Sequence, residues 1–150
     1  MKVKNALCAL VILVVGFGLV NCANQNKKAA LRTVHFDFDR SLIRSDMVSI
    51  MDGNVAYLKK NKRHFSTKSL RAGGGKSVTI AGHCDERGTV EYNYALGARR
   101  AESAKSYLVS HGIDSSRVKT VSYGEDRSVC KEHNESCWYM NRRAEFSVGK

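Results

Sequence analysis

The sequence lacks the usual marks of catalysis. It contains no HExxH zinc motif, no glycine-rich phosphate loop and no Ser–His–Asp set, so none of the common nucleophilic, metal-assisted or phosphoryl-transfer chemistries has its residues. His35, His64 and His111 are scattered. His83 and Cys84 are adjacent, and neighbours on an extended chain point to opposite faces, which is poor geometry for a Cys–His dyad. An enzyme is therefore not expected. Acidic residues are also scarce, 14 against 25 Lys and Arg, for a formal net charge of +11. That balance favours an acidic partner such as nucleic acid, anionic lipid or an anionic wall polymer. No basic motif interleaved with aromatics accompanies it, so nucleic acid is not the expected partner. Much of the excess lies in residues 59–76 and at Arg142 and Arg143; the first patch reads equally well as a solvated surface. There is no internal repeat and no second apolar core.

What is present begins with a single long apolar run, ALCALVILVVGFGLV, over residues 6–20, preceded by Lys2 and Lys4. It is short for a membrane span, which needs about 20 apolar residues, and has the length and charged flank of a secretory signal. It closes on LVNC (19–22), which resembles a lipobox, the motif whose cysteine is acylated and becomes the first mature residue. Asn21 departs from the small residue usual there; an uncleaved anchor or a plain secretory signal is the competing reading. Position 23 is Ala rather than the Asp that often retains lipoproteins at the inner membrane. By this resemblance the destination is the outer membrane, facing the periplasm, with the chain held in lipid through acylated Cys22. The expected organisation is a signal peptide over 1–21, a lipidated N-terminus and flexible tether over 22–32, and one domain over 33–150.

The other cysteines divide by context. Cys130 and Cys137 bracket a polar loop, CKEHNESC, and an oxidising compartment permits a bridge between them. Cys130, His133 and Cys137 could instead supply three metal ligands, but no fourth is evident nearby, which favours the disulfide. Cys84 is left alone. No cofactor and no metal is expected.

Hydrophobic patterning gives the elements. TVHFDF (33–38) alternates and reads as a strand. Ser45 and Asp46 start a helix carrying Met47, Ile50, Met51, Val55 and Leu58 at helical spacing. KSVTIAG (76–82) is a second strand, reached through a long connection whose glycines at 73–75 mark 62–76 as an insertion. A second helix over 91–110 ends at Gly112, a suitable C′ residue. RVKTVSY (117–123) and RAEFSV (143–148) are further strands. The order βαβα-ββ predicts an α+β sandwich, two main helices packed on one mixed four-stranded sheet. If the first two strands are parallel neighbours, a right-handed crossover joins them.

On a helical wheel, Asn93, Leu96, Gly97, Arg100, Ala104, Tyr107 and Leu108 share one arc, whereas Arg99, Glu102, Lys105 and Ser106 lie outside it. An inward arginine needs a partner or an opening, because an unpaired buried charge is costly. HCDERGT (83–89) is the loop that follows the second strand, at the end where open sheets build sites. Asp85 could staple Arg100 internally, or the two could grip a ligand; the residues alone leave both open.

FDFD (36–39), IRSD (43–46), GHCDERGT (82–89), EYN with L-x-x-RRA (91–101), VSYGED (121–126) and NRRAEF (141–146) stand in one order. Together they resemble the C-terminal domain of outer-membrane protein A and, within that OmpA-like family, the peptidoglycan-associated lipoproteins of the Tol–Pal system. The resemblance implies non-covalent binding of peptidoglycan through the diaminopimelate of its stem peptide. It also implies partnership with the Tol β-propeller protein and other Tol proteins. The family's two principal contacts fall on Asp85, which would accept from the ligand's ammonium, and Arg100, which would grip the carboxylate on the same carbon. Phe36 and Asp37 would wall the same pocket, and Asn93 and Arg142 belong to motifs nearby; Arg142 reads equally well as structural. Cys84 departs from the Thr or Ala usual in the family, and the 62–76 insertion and the cysteine-bracketed loop are further departures. The competing reading is a structural lipoprotein that acts only through protein partners.

Overall fold

The structure is a computed structural model that describes residues 30–61 and 77–149. The expected signal peptide, the Cys22 acylation site, most of the tether and the 62–76 insertion lie outside the described residues. Among the described residues no helix is long and apolar enough to cross a membrane.

Among the described residues the strands and α-helices follow in chain order as β1 (Val34–His35), α1 (Val48–Lys60), β2 (Val78–His83), α2 (Val90–Ser110), β3 (Val118–Gly124), α3 (Glu135–Asn141) and β4 (Arg143–Val148). The strands form one mixed sheet in the order β1-β4-β2-β3. β2 and β3 are parallel and joined through α2, while β4 runs antiparallel to both β1 and β2. β1 and β2 are not neighbours, because the last strand of the chain inserts between them, so the condition for a crossover between these two is not met. One correction is α3, which starts inside the cysteine-bracketed stretch expected to be loop. Its seven residues are too few for hydrophobic periodicity to register, but Asn134 caps it, its side chain accepting from the Cys137 amide at 3.0 Å.

The first helix starts as a 3-10 turn over Ser45–Met47 before α1 proper. Thr89 caps the start of α2, its hydroxyl accepting from the Tyr92 amide at 3.2 Å. The helix ends in a Schellman motif: Gly112 has φ +85°, Ile113 N–H donates to Leu108 O at 3.0 Å, and Gly112 N–H donates to Val109 O at 2.9 Å. β1 is shorter than the alternation over 33–38 predicts, since after Phe36 N–H donates to Arg142 O the chain turns away from the sheet.

The core brings Val34 and Phe36, Met47, Met51, Val55 and Leu58 of the first helical segment, and Val78 and Ile80 of β2 together with Ala101, Ala104 and Leu108 of α2. One close approach fixes the register of α2 on the sheet. A Cβ on Gly82 would lie 1.8 Å from Gly97 O, and one on Gly97 would lie 2.4 Å from Ser122 Oγ. Only hydrogen at both positions lets helix and strand touch backbone to backbone. That contact sets where Arg100, one turn further along α2, meets the loop leaving β2.

Candidate functional site

The loop after β2 turns sharply at Gly88, φ +120°, into the N-terminus of α2. This places Cys84, Asp85 and Arg87 beside Tyr92, Asn93, Leu96 and Arg100. With Phe38, Asp39, Gly88 and Arg142 they line a cavity of ≈ 210 Å³. Of the residues expected at a site, the cavity brings together Asp85, Arg100, Asn93 and Arg142.

Phe36 and Asp37 do not line it, which corrects their expected role as walls. Phe36 is fully buried in the core, with the Arg100 guanidinium 5.3 Å from its ring centroid. The Asp37 carboxylate is exposed and bonds Arg44 at 2.5 Å. Their carbonyls hold the site from behind: Phe36 O accepts from Arg142 Nε at 3.0 Å, and Asp37 O from Arg100 Nη2 at 3.2 Å. Because the chain has left the strand, the next pair, Phe38 and Asp39, forms the lip. Asp39 has φ +53° and accepts from the Tyr92 hydroxyl across the mouth.

Arg100 is only 1% exposed. It donates from Nε to Arg40 O at 2.9 Å, from Nη1 to His83 O at 2.8 Å and to Cys84 Sγ at 3.2 Å, and from Nη2 to Asp37 O. Carbonyl groups thus satisfy it, and the internal Asp85–Arg100 staple left open by the sequence is not formed. Burial lowers the Arg100 pKa, with Cys84 and Asp85 opposing; a guanidinium stays cationic regardless.

Asp85 is paired elsewhere. Its Oδ2 accepts from Arg87 Nη2 at 2.6 Å and from Arg142 Nη1 at 3.1 Å, and its Oδ1 from the Arg87 amide at 3.1 Å. Burial pushes this carboxyl up, but the bonds from Arg87 and Arg142 outweigh it and hold the group below its ordinary value. Arg142 is 3% exposed and also bonds Glu135 at 2.5 Å. Asn93 donates to Asp85 O at 3.2 Å and to Glu125 at 2.5 Å, locking the loop to α2. Cys84, buried and without a disulfide partner, is pushed up to about 11 by burial, against the pull of Arg100, so it is a neutral thiol; it donates to Asn93 O at 3.3 Å.

Sequence reasoning did not single out Arg87 or Trp138. Arg87 stood inside the quoted HCDERGT motif. Its guanidinium lies 4.0 Å from the Phe38 ring centroid and 4.2 Å from that of Trp138, the only tryptophan in the chain. Trp138 is carried by α3 and donates to Glu86 at 3.0 Å, and His133 bonds the same carboxylate at 2.5 Å. Cys130 and Cys137 are joined in a disulfide at the N-terminal side of α3. Among the described residues no group of three or more His, Cys, Asp and Glu could hold a metal ion.

The family model described as the OmpA family matches residues 35–137, which include most of the cavity. The chain belongs to the OmpA family. Two relatives within it are peptidoglycan-associated lipoproteins. The one from Mesorhizobium japonicum is 43% identical over 111 residues, covering 74% of this chain and 59% of that protein. The one from Haemophilus influenzae is 41% identical over 112 residues, 75% of this chain and 65% of that protein. The chain thus spans about three fifths of the length of such relatives. Among solved structures, the peptidoglycan-associated lipoprotein from Burkholderia pseudomallei superposes with a TM-score of 0.68 at 32% identity, covering 79% of this chain and 90% of that one. The C-terminal domain of Helicobacter pylori MotB, at 18% identity and a TM-score of 0.62, shares the OmpA-like fold alone. The Mesorhizobium, Haemophilus and Burkholderia proteins are named for an association with peptidoglycan.

Proposed function

We infer that this chain is an outer-membrane lipoprotein that binds peptidoglycan non-covalently through the diaminopimelate of the stem peptide. Acylated Cys22 anchors it in the outer membrane with the domain facing the periplasm. It ties that membrane to the wall as part of the Tol–Pal system, alongside the Tol β-propeller protein. The observation that carries this reading is that Asp85 and Arg100, opposite in charge, line one small cavity without being bonded to each other. Pockets for drug-sized ligands run to roughly 300–1,000 Å³, so a cavity of ≈ 210 Å³ suits the end of a side chain better than a whole molecule. The far end of diaminopimelate carries an ammonium and a carboxylate on one carbon. Asp85 accepts from the first, and Arg100 donates to the second. The relatives' names and the excess of basic residues for an anionic wall support the same conclusion.

The test is binding to purified sacculi at moderate salt, with a diaminopimelate-containing fragment in a thermal-shift assay. The fragment should raise the melting temperature by mass action, and an otherwise identical lysine fragment, which lacks the terminal carboxylate, should not. Equal protection by both would overturn the assignment. Retention of a purely protein-mediated role would show as no sacculus binding at any salt.

A further inference from the structure

Resting on that reading, Asp85 would meet an incoming ammonium with its carboxylate already occupied. Two arginines share Oδ2, and they are held very differently. Arg142 is buried and tied to Phe36 O and Glu135, so it cannot leave without stranding a charge. The Arg87 side chain is 30% exposed, its Nε has no hydrogen-bond partner, its Nη2 lies 3.6 Å from the exposed Glu135 carboxylate, and its guanidinium carbon sits 4.0 Å and 4.2 Å from the Phe38 and Trp138 ring centroids. Ring contact of this kind holds a guanidinium while leaving its N–H edges free to change partner. Arg100 has the opposite character. Four of the five N–H groups of a guanidinium are committed to Arg40, His83, Cys84 and Asp37. It has one left for a ligand carboxylate, too few for a two-bonded grip.

We propose that Arg87 is a displaceable counter-ion that makes the cavity specific for a zwitterion. The ligand's ammonium replaces Arg87 on Asp85. The released guanidinium, turning within the Phe38–Trp138 sandwich, takes the carboxylate on the same carbon, beside the remaining N–H of Arg100. The exchange conserves charge: one ion pair and a solvated zwitterion become two ion pairs. A ligand with an ammonium alone would take Asp85 from Arg87 and leave it only the exposed Glu135 carboxylate, 3.6 Å away, so it is disfavoured. A ligand with a carboxylate alone leaves Asp85 quenched and gains only half the contacts. Rejection therefore comes from the resident arginine as much as from any attraction.

The experiment is calorimetric titration with three stem-peptide fragments: one with diaminopimelate, the same one with the terminal carboxyl amidated, and one with lysine. Wild type should bind the acid at least tenfold more tightly than the other two. Arg87→Ala should bind the acid at least tenfold more weakly, yet bind the amide and lysine fragments as well as wild type or better, because no cation then has to be displaced. A residue that merely supports the fold would weaken all three together, and that result overturns the proposal. So does an unchanged preference for the acid in Arg87→Ala, with the diaminopimelate reading left standing; failure of wild type to bind any fragment overturns both. Trp138 gives an independent signal: its emission should change when wild type takes the acid and stay unchanged with Arg87→Ala. Should that variant fail to fold, Trp138→Leu, which retains every charge, must still lower the acid-over-amide ratio; an unaltered ratio there counts against the sandwich.

Discussion

Asp85→Ala would remove more than a ligand contact. From the sequence alone the fold is expected to survive this change, since a ligand-facing charge would be partly solvated in the free protein. The structure revises that: Asp85 is 3% exposed and its Oδ2 is 3.1 Å from Arg142 Nη1, which is itself buried. Breaking a buried pair by removing one partner costs about 3–5 kcal/mol. Arg142 retains Phe36 O and the exposed Glu135 carboxylate, so the low end applies, about 3 kcal/mol. Arg87, a third exposed, can turn to water and adds at most about 1 kcal/mol. Asp85→Asn separates stability from binding. Its single amide oxygen can keep the Arg142 bond, made at Oδ2, or the Arg87 amide bond, made at Oδ1, but not both, because the other position becomes an NH2; it should cost about 1–3 kcal/mol of stability. It loses the charge that an ammonium needs, a contact of about 1.5–3 kcal/mol, so fragment binding should fall at least tenfold. The acid limb gives a further check. A carboxyl held below its ordinary value contributes stability that is present above its unfolded pKa and is lost as pH falls through the folded one. Asp85→Asn should therefore unfold less steeply with acid than wild type. Urea unfolding at an unchanged m-value, with calorimetry on the folded variants, measures all three. An Asp85→Ala protein as stable as wild type, or an Asp85→Asn protein that binds undiminished, would refute the reasoning.

Three further outcomes follow from other parts of the fold. Gly82→Ala should cost at least about 2 kcal/mol, because its Cβ would meet the Gly97 carbonyl at 1.8 Å; a urea midpoint within error of wild type would show that α2 can slide. Reducing Cys130–Cys137, which closes a short loop with a sequence separation of 7, should cost no more than about 2.5 kcal/mol. It should also shift Trp138 emission, since the bridge anchors the start of α3; unchanged fluorescence on adding reductant would separate the bridge from the site. His83 is held down to about 4 by burial and then by Arg143 and Arg127, against Glu145. Its unfolded value is about 6.5, so the unfolded chain takes up a proton that the native one refuses. Stability should fall by up to about 3 kcal/mol as pH drops from about 6.5 to about 4. His83→Phe should flatten that limb, and an identical slope in the variant would assign it to other groups.

The fold class, the family and most elements were legible in the residues alone. The alternation in VTIAGH, the helical spacing of Met47, Met51, Val55 and Leu58, and the Gly112 stop are local signals, and local backbone preferences answer to them. The inward arc of α2, Arg100 included, was legible for the same reason: a wheel needs no knowledge of what lies opposite. What lies opposite was decided by tertiary structure alone. The neighbour of β1 is a strand more than a hundred residues away, and no local pattern encodes pairing at that distance. The pairing of Asp85 was likewise invisible. Charge complementarity nominated Arg100, but the Gly82–Gly97 contact seats Arg100 against carbonyls, and β4 and α3 deliver Arg142 and Trp138 from the far end of the chain. Residue types set which charges must be satisfied; only the packing of distant segments decides which one satisfies which, because a buried charge takes whatever partner the backbone brings within 3 Å or so.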